Sequence, residues 1–418
     1  NTRNAYRNWP YNLWDSRKLY KLDQIVIFCG GFGTRLKKIS KGIPKSLIEI
    51  NDKTFIEILI QNLSRFNFKK VLLLCHYKGI KFYKKYHNQK INGLLIECVI
   101  EKKPLGTLKS LINAKKNLEN FFLLSNGDTF FDINIADLYQ KFDYKKNLIL
   151  IGGGKILTHD KLRYQNLLVK KKLLEKVYYS KKENQTINTG LSIINKKVLN
   201  HVKKRDNSFD KHLIKALIPK NKVQVEIYKK NFIDIGTPQD LNFFTKKLNF
   251  FTKKPAIFFD RDGVINYDYG YVYKKKNFIL KKKVVEAIKY LNNKNYYVFI
   301  VTNQSGVGRG YYSISDVEKL HYWLRCKLRE NGAHIDDIFY APFYDKSKLK
   351  FTKEDKHLRK PNIGMINKAK KNWNIDLKNS YVIGDSSVDK NLARNSKLKY
   401  VNVDNNSNLL NVIKKILK

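Results

Sequence analysis

The stretch FFDRDGVIN, residues 258–266, ends an apolar run and places two carboxylates, Asp260 and Asp262, two residues apart. Side chains along a β-strand alternate between its faces with a period of two, so both carboxylates point the same way at the strand's end. One can attack a phosphorus while the other donates a proton to the leaving oxygen. The pair predicts a strand end that carries acid–base and nucleophilic groups together.

Three further motifs follow this stretch in order. VTNQSG occupies residues 301–306, RKP residues 359–361 and VIGDSSVD residues 382–389. The ordered set resembles the haloacid-dehalogenase-type phosphatases over roughly residues 255–405. The resemblance implies a Mg²⁺-dependent phosphatase that works through an aspartyl-phosphate.

The roles that this resemblance implies match the physical needs of phosphoryl transfer. Asp260 is the expected nucleophile, and Asp262 the general acid that later becomes the base activating water. Lys360 is expected to neutralise the nucleophile and the transferred group. Oxygen ligands suit a hard cation. The other expected contacts are to phosphoryl oxygens, from Thr302 and Asn303, and to magnesium, from Asp260, Asp262, Asp385 and Asp389.

Finer features of the second half narrow the family branch. DRDGVIN, TNQSGVGRGYYS and RKPNIGM look like the branch that holds heptose-1,7-bisphosphate and histidinol-phosphate phosphatases. Many members carry a Cys/His zinc loop before RKP, but residues 341–361 contain one His and no Cys, so we expect no zinc. Arg309 and Arg359 are predicted to contact a distal substrate phosphate.

In the first half the strongest motif is IVIFCGGFGTRL, residues 25–36, with Pro44 and Lys45 following. Glycines directly after a buried strand let the backbone approach a base and phosphates without interference from Cβ. Arg35 can fork onto phosphate oxygens, and Lys45 can place a point charge on them. The combination predicts a nucleotide site.

This motif resembles the sugar-phosphate nucleotidyltransferases, and the resemblance covers roughly residues 22–248. Later signatures fall in that family's order: KKPLGT (102–107), NGD (126–128), INTG (187–190) and FIDIGTP (232–238). The family implies a Rossmann-like sheet on which a sugar-1-phosphate oxygen attacks the α-phosphorus of a nucleoside triphosphate. Charge builds up between two polyanions in that attack, so a divalent metal and cations must clamp the phosphates.

Residue roles in the first site are carried over from the family. Asp128 and Asp234 are expected to hold Mg²⁺, and Arg35 and Lys45 the triphosphate. The nucleotide is expected along Gly30, Gly31, Gly33, Thr34 and Gly106, and the sugar at Asn188 and Gly190. The family's usual Glu-Lys pair before INTG is here Ser180-Lys181, where Lys181 is predicted to hold the sugar phosphate. The Gly and Ala often found after PLGT are replaced in LKSL.

Hydrophobic patterning predicts an α/β fold in both halves. QIVIFC, KVLLLC and FFLLSN are continuous apolar runs, which indicate a parallel sheet covered on both faces. After about residue 150 the runs loosen into an added sheet region, and SYVIGD reads as the last strand. FFTKKPAIFFD predicts a domain joint. We therefore expect an N-terminal extension (1–21), a Rossmann-like mixed sheet (22–250) and a parallel sheet flanked by helices (255–418).

Length and composition fit two globular domains. The chain has 418 residues, of which 43% are hydrophobic and 13% aromatic. The absence of a long apolar run or a secretory signal pattern predicts a cytoplasmic protein without membrane insertion. Four scattered cysteines (Cys29, Cys75, Cys98 and Cys326) indicate buried, reduced thiols.

The net charge of +47 has three candidate explanations. The basic residues are mostly Lys and are spread along the whole chain, which favours a proteome-wide composition bias. The charge could also attract anionic substrates. A nucleic-acid-binding protein would instead show a basic stripe and a known binding module, so we expect no specific nucleic-acid partner.

Together the two resemblances indicate one pathway. Both halves resemble enzymes of the route to GDP-D-glycero-D-manno-heptose, so the sequence predicts a phosphatase acting at carbon 7 and a GTP-dependent guanylyltransferase, each with Mg²⁺, in a possible homo-oligomer. One alternative is a nucleotidyltransferase for another sugar that uses dTTP, UTP or CTP, fused to a phosphatase of other specificity such as histidinol phosphate. Another is a non-catalytic nucleic-acid-binding or scaffold protein.

Overall fold

The computed structural model describes residues 20–31, 34–36, 42–156, 164–179, 185–347 and 349–417. Two compact units divide the chain. Phe68–Phe251 and the described part of Leu19–Ser64 form one unit, and Thr252–Lys418 belongs to the other together with the loop Arg65–Asn67. Each unit has its own sheet and its own hydrophobic core.

The first unit contains a large mixed sheet. In chain order the strands of this unit are β1 (Gln24–Phe28), β2 (Glu49–Ile50), β3 (Lys53–Thr54), β4 (Lys70–Cys75), β5 (Lys90–Ile91), β6 (Leu94–Ile100), β7 (Phe121–Asn126), β8 (Thr129–Phe131), β9 (Ile149–Ile156), β10 (Asn166–Lys170), β11 (Leu173–Tyr178), β12 (Ile187–Asn195) and β13 (Val223–Asp234). Of these, β2 and β3 form a separate two-stranded sheet. The helices of this unit are α1 (Phe55–Leu63), α2 (Gly79–Tyr86), α3 (Thr107–Asn113), α4 (Ile135–Lys141), α5 (Lys215–Leu217, continuing a π-helix Phe209–Ile214), α6 (Pro238–Lys246) and α7 (Leu248–Thr252).

Eleven strands of the described residues form this sheet, in the order β10-β11-β13-β9-β12-β7-β1-β4-β6-β5, with β8 paired to β13. The neighbours β7, β1, β4 and β6 run parallel, whereas β12 runs antiparallel to both β7 and β9. The carboxyl ends of β1 and β7 lie side by side, with Phe28 opposite Asn126. Loops that follow these two strands therefore meet at one edge of the sheet.

The second unit is built on a parallel sheet. Its strands are β14 (Ala256–Phe259), β15 (Tyr297–Asn303), β16 (Asp337–Ala341), β17 (Tyr381–Gly384) and β18 (Lys399–Asn402), in the order β16-β15-β14-β17-β18. The pairings along this order are all parallel. Its helices are α8 (Val284–Asn293), α9 (Ile314–Glu330), α10 (Lys353–Leu358), α11 (Gly364–Asn372), α12 (Ser387–Ser396) and α13 (Leu409–Ile416).

The central strand β14 shows why the apolar runs are continuous. Ile257 and Phe259 pack into the core on one face of the sheet, and Ala256 and Phe258 into the core on the other. Both faces are covered, so each position along the strand has to be apolar. The run ends at Asp260, at the carboxyl edge where ligands of open α/β sheets bind.

The structure confirms the predicted fold class of two α/β domains, one with a mixed and one with a parallel sheet. The prediction that SYVIGD is the last strand is wrong, because β18 follows it and pairs with β17. The four cysteines are free, and Cys29, Cys75 and Cys98 are buried. None of the described helices is long and apolar enough to cross a membrane.

Candidate active sites

In the second unit Asp260 sits at the centre of a buried ion network. It follows β14, and its backbone N–H donates to Ile383 O on the neighbouring strand at 2.9 Å. Lys360 Nζ lies 2.8 Å from Asp260 Oδ1 and 2.6 Å from Asp389 Oδ1. Ser386 Oγ donates to the other oxygen of Asp389 at 2.5 Å. The ammonium thus contacts one carboxylate that follows β14 and another in the first turn of α12.

Three carboxylates form a candidate metal site. Oxygens of Asp260, Asp385 and Asp389 lie within 4.8 Å of one another, the one such group of three or more possible ligands among the described residues. Burial raises the pKa of Asp260 to about 7. The attraction of Lys360 opposes this rise in pKa, and the negative charges of Asp389 and Asp262 add to it. Burial and Asp389 also raise the pKa of Asp385. The cluster therefore has more negative charge than Lys360 balances, and its all-oxygen donor set fits Mg²⁺.

Asp262 has a different environment. Arg261 Nη2 contacts its Oδ2 at 2.8 Å and its Oδ1 at 3.0 Å, and the Arg261 side chain is fully buried. Asn266 Nδ2 donates to Oδ1 at 2.9 Å, and Gln304 Nε2 to Oδ2 at 3.0 Å. The carboxylate of Asp262 lies outside the three-carboxylate cluster. Its geometry fits an acid–base group, and the metal-ligand role assigned to that carboxylate stays a prediction without a supporting contact.

The two polar residues that end β15 have separate tasks. Thr302 is buried and lines the cavity in front of Asp260, and its Oγ1 accepts from Gln304 Nε2 at 2.9 Å. Asn303 also lines the cavity, but its side-chain amide pairs with the backbone of Lys360, at 2.9 Å to the N–H and 3.2 Å to the carbonyl. That amide therefore places the Lys360 loop against the end of β15.

The cavity at this edge of the sheet has a volume of about 410 Å³. Its described lining comprises Asp260, Asp262, Asp268, Gly270, Tyr271, Thr302, Asn303, Gln304, Ser305, Tyr312, Lys360, Asp385, Ser386 and Val388. Arg309 and Arg359 are not among them. The Arg309 guanidinium lies 3.6 Å from the Tyr344 ring centroid, and Arg359 Nη1 donates to Phe343 O at 3.2 Å. Their contact with a distal phosphate remains a prediction.

In the first unit, cross-strand pairing brings the backbones of the two predicted metal-binding residues, Asp128 and Asp234, close together. Asp234, the last residue of β13, lies opposite Thr129, and Ile235 N donates to Asp128 O at 2.9 Å. Lys45 Nζ lies 3.1 Å from Asp128 Oδ2. Lys45 and the Asp128 carboxylate are therefore in contact beside the end of β7. Asp234 lies one step along the paired strand, and its sharing of Mg²⁺ with Asp128 stays a prediction.

The Gly-rich loop is described in part. Gly30 follows β1, and a Cβ there would lie 3.3 Å from His76 Cβ, whereas a Cβ at Gly31 would meet nothing within 4 Å. Thr34 begins a short 3₁₀ turn that ends at Leu36, and the Arg35 side chain in it is exposed. Gly33 and Lys181 lie outside the described residues, as does nearly all of the predicted extension.

Two glycines of the first site need their small size. Gly190 has φ +73°, and a Cβ there would overlap the side-chain amide of Asn126 at the end of β7. Gly106 has φ +83°, and a Cβ there would lie 2.5 Å from Asn207 O. The predicted sugar ligand Asn188 donates through Nδ2 to Asp210 Oδ1 at 2.9 Å.

Sequence reasoning missed several polar residues that support these sites, namely Arg261, Asn266, Gln304, Ser386 and Asp210. Arg261 and Asn266 lie inside the quoted DRDGVIN motif, and Gln304 lies inside VTNQSG. Their presence inside these motifs was the signal that could have marked them as site residues. Asp210 lies in no quoted motif, and burial raises its pKa.

Comparisons with known proteins match each of the two units to a different family. A family model described as nucleotidyl transferase matches residues 24–249, and one described as polynucleotide kinase 3 phosphatase matches residues 255–409. The D-glycero-alpha-D-manno-heptose 1-phosphate guanylyltransferase of Campylobacter jejuni subsp. jejuni is 34% identical over 226 residues, which are 53% of this chain and 98% of that protein.

For the second unit, the D-glycero-beta-D-manno-heptose-1,7-bisphosphate 7-phosphatase of Rhodopseudomonas palustris is 43% identical over 135 residues, 32% of this chain and 75% of that protein. Among solved structures, the crystal structure of HddC from Yersinia pseudotuberculosis complexed with GMP-PN matches with 28% identity and a TM-score of 0.44, over 54% of this chain and 99% of that one. The chain belongs to the nucleotidyl transferase family through its first domain and to the haloacid-dehalogenase-type phosphatases through its second.

Proposed function

We propose that this chain converts a heptose 1,7-bisphosphate and GTP into a GDP-heptose in two steps. The second domain removes the phosphate at carbon 7, and the first domain transfers a guanylyl group to the remaining 1-phosphate. The observation that carries the phosphatase half is the contact of Lys360 with both Asp260 and Asp389. Lys360 and Asp260 line one cavity together with Asp262. Relatives named for both steps support the choice of substrate.

In the phosphatase step Asp260 attacks phosphorus and forms an aspartyl-phosphate, which splits one displacement into two easier ones. Asp262 gives its proton to the leaving sugar oxygen and later removes one from the attacking water. Thr302 and Lys360 stabilise the charge of the transferred group. Magnesium bound by Asp260, Asp385 and Asp389 would supply further positive charge.

In the transfer step the sugar 1-phosphate oxygen attacks the α-phosphorus of GTP, and pyrophosphate leaves. Lys45 and Arg35 hold the triphosphate, and Asn188 holds the sugar beside Gly190. Asp128 and Asp234 would hold the magnesium ion that neutralises the phosphates. The matched guanylyltransferase is named for the α anomer, and matched phosphatases are named for both anomers, so we propose the α-configured 1-phosphate for the transfer.

Phosphate esters and GTP are both anionic, and the net charge of +47 favours their approach. We propose these small anions, with no specific nucleic acid, as the binding partners. The composition of the segment before RKP also leads us to propose that the phosphatase works without zinc. We also propose the cytoplasm as the location in which the protein meets these substrates.

The test supplies the full chain with the bisphosphate, GTP and Mg²⁺, and measures released phosphate and GDP-sugar. The matched variants are Asp260→Asn and Asp128→Asn. We expect Asp260→Asn to release no phosphate yet still to guanylylate heptose 1-phosphate, and Asp128→Asn to do the reverse. Wild-type chain that forms neither product from either anomer contradicts the proposal, and product formation only with dTTP, UTP or CTP reassigns the nucleotide.

A further inference from the structure

Gln304 has a buried side chain with three hydrogen-bond partners, and the mechanism above gives it no task. It is 1% exposed. Its Nε2 donates to Asp262 Oδ2 at 3.0 Å and to Thr302 Oγ1 at 2.9 Å, and its Oε1 accepts from Tyr312 OH at 2.9 Å. A carboxylate only accepts hydrogen bonds, so Nε2 has to face Asp262. The amide orientation is therefore fixed by its partners.

Tyr312 in turn is held on its other side. Its ring stacks on Tyr273 with centroids 4.8 Å apart and planes 18° apart. Gly306 has no Cβ, and one built there would overlap the Tyr312 ring. The stacked ring of Tyr273 and the missing side chain at Gly306 therefore hold the Tyr312 ring where its hydroxyl reaches Gln304. A chain of contacts links Tyr273, Tyr312 and Gln304 to the carboxylate of Asp262.

We propose that Gln304 is a positioning residue for the acid–base group Asp262, and that Tyr312 orients Gln304. The inference rests on the proposed phosphatase role of Asp262. When the phosphorus–oxygen bond to the sugar breaks, an Asp260 oxygen bonds to phosphorus and the proton of Asp262 moves to the leaving oxygen. The transfer needs the carboxyl group of Asp262 within hydrogen-bond reach of that oxygen.

Leaving groups of different basicity separate this role from a merely structural one. An alkoxide or phenolate leaves poorly without a proton, whereas p-nitrophenolate leaves well without one. Disturbing Asp262 therefore slows esters with poor leaving groups selectively. Disturbing the contacts that hold the phosphoryl group slows all esters alike. The hydrogen bond from Gln304 to Thr302 is one of these contacts. The ratio of kcat/KM between two esters isolates the effect on Asp262, because kcat/KM covers the steps up to departure of the first product.

The test compares full-length wild type with Gln304→Met, which keeps the side-chain length but removes all three hydrogen bonds. The substrates are phenyl phosphate, p-nitrophenyl phosphate and the heptose bisphosphate. We expect kcat/KM to fall about 100-fold for the sugar and phenyl esters and no more than about tenfold for p-nitrophenyl phosphate, within the range that general acids contribute. Asn303→Ala, which disturbs Lys360, is the contrast and should lower all three by similar factors.

Tyr312→Phe keeps the stacked ring but removes the hydrogen bond to Gln304. It should therefore change the ratio of kcat/KM between the phenyl and p-nitrophenyl esters in the same direction, by a smaller factor. This variant carries the test if Gln304→Met does not fold. Equal losses on all esters in both variants would overturn the inference and leave the proposed function intact. Wild type that hydrolyses the aryl esters but not the heptose bisphosphate would overturn the proposed substrate, and the phenyl to p-nitrophenyl ratio would still decide the role of Gln304. Wild type that hydrolyses no ester overturns both.

Discussion

At the scale of single residues, the DRDG segment shows how a backbone position leaves room for Asp385, a proposed metal ligand. Gly263 has φ +85°, and a Cβ there would overlap Asp385 Oδ2. Lys281 Nζ donates to Gly263 O and to Asp404 O, at 2.5 Å and 2.7 Å, which holds this turn in place. The side chain of Asp385 thus occupies space that only glycine leaves open.

We predict that Gly263→Ala weakens Mg²⁺ activation of the phosphatase. The methyl group displaces the Asp385 carboxylate, and changing a neighbour that orients a metal ligand typically costs about 10- to 100-fold in metal affinity. The measurement is a Mg²⁺ titration of phosphate release. Gly310→Ala is the control, since Gly310 has φ +78° but a Cβ there meets nothing within 4 Å. Equal shifts in both variants would show that backbone strain, and not the carboxylate, is responsible.

The sequence predicted the charged residues of the phosphatase site, because Asp260, Lys360 and Asp385 stand in motifs with a chemical meaning. The sequence did not predict the contact that Asn303 makes. Its partner is the backbone of Lys360, 57 positions away, and no local pattern encodes a contact to a main-chain atom. Hydrogen-bond partners of this kind follow from the tertiary fold alone.

At the scale of elements, continuous apolar runs located the buried strands well. KVLLLC and FFLLSN coincide with β4 and β7. The short edge strand β18 was missed because KYVN has no fully buried side chain. In β9 the run is broken by glycines, and a Cβ at Gly153 would lie 2.7 Å from Thr186 Cγ2 and one at Gly154 2.9 Å from Phe131 Cζ. Glycines that admit a close neighbour hide a strand from pattern analysis.

Helix α9 carries a buried histidine, His321. We predict that His321 lowers the stability of the second domain in acid. Burial, and then the charges of Arg261 and Arg325, lower the pKa of His321 well below its ordinary range. Below about pH 6.5 the unfolded chain binds a proton at this residue and the folded chain does not, so the free energy of unfolding falls as the pH drops. Between pH 7.5 and 5.5 the loss from His321 is about 1 kcal/mol.

Urea unfolding of the full chain, followed by fluorescence, measures this loss, because Trp323 and Trp373 lie in the second domain. The comparison variant is His321→Gln, which keeps an acceptor for Arg261 Nη1, a neighbour of His321 Nε2 at 3.2 Å. The variant should lose about 1 kcal/mol less than wild type on going to pH 5.5. The same pH dependence in both chains would exclude His321 as the cause.

At the scale of the whole molecule, sequence motifs were sufficient to predict two unrelated α/β units. Each unit has its own core, and each candidate site takes its acidic residues from one unit: Asp128 and Asp234 from the first, Asp260, Asp385 and Asp389 from the second. The role of the net positive charge could not be predicted, because lysines spread along the whole chain serve solubility and anion attraction alike.

Since the described acidic residues of each candidate site come from one unit, we predict that two singly inactivated chains complement each other when mixed. Asp128→Asn should supply heptose 1-phosphate, and Asp260→Asn should convert it with GTP, so GDP-heptose appears after a lag while the intermediate accumulates in solution. The measurement is the time course of GDP-sugar formation from the bisphosphate, with each variant alone as control. Added inorganic pyrophosphatase should increase the yield by removing a product of the transfer. If the mixture forms no GDP-sugar while each variant keeps its single activity, the intermediate has to pass between the sites of one chain.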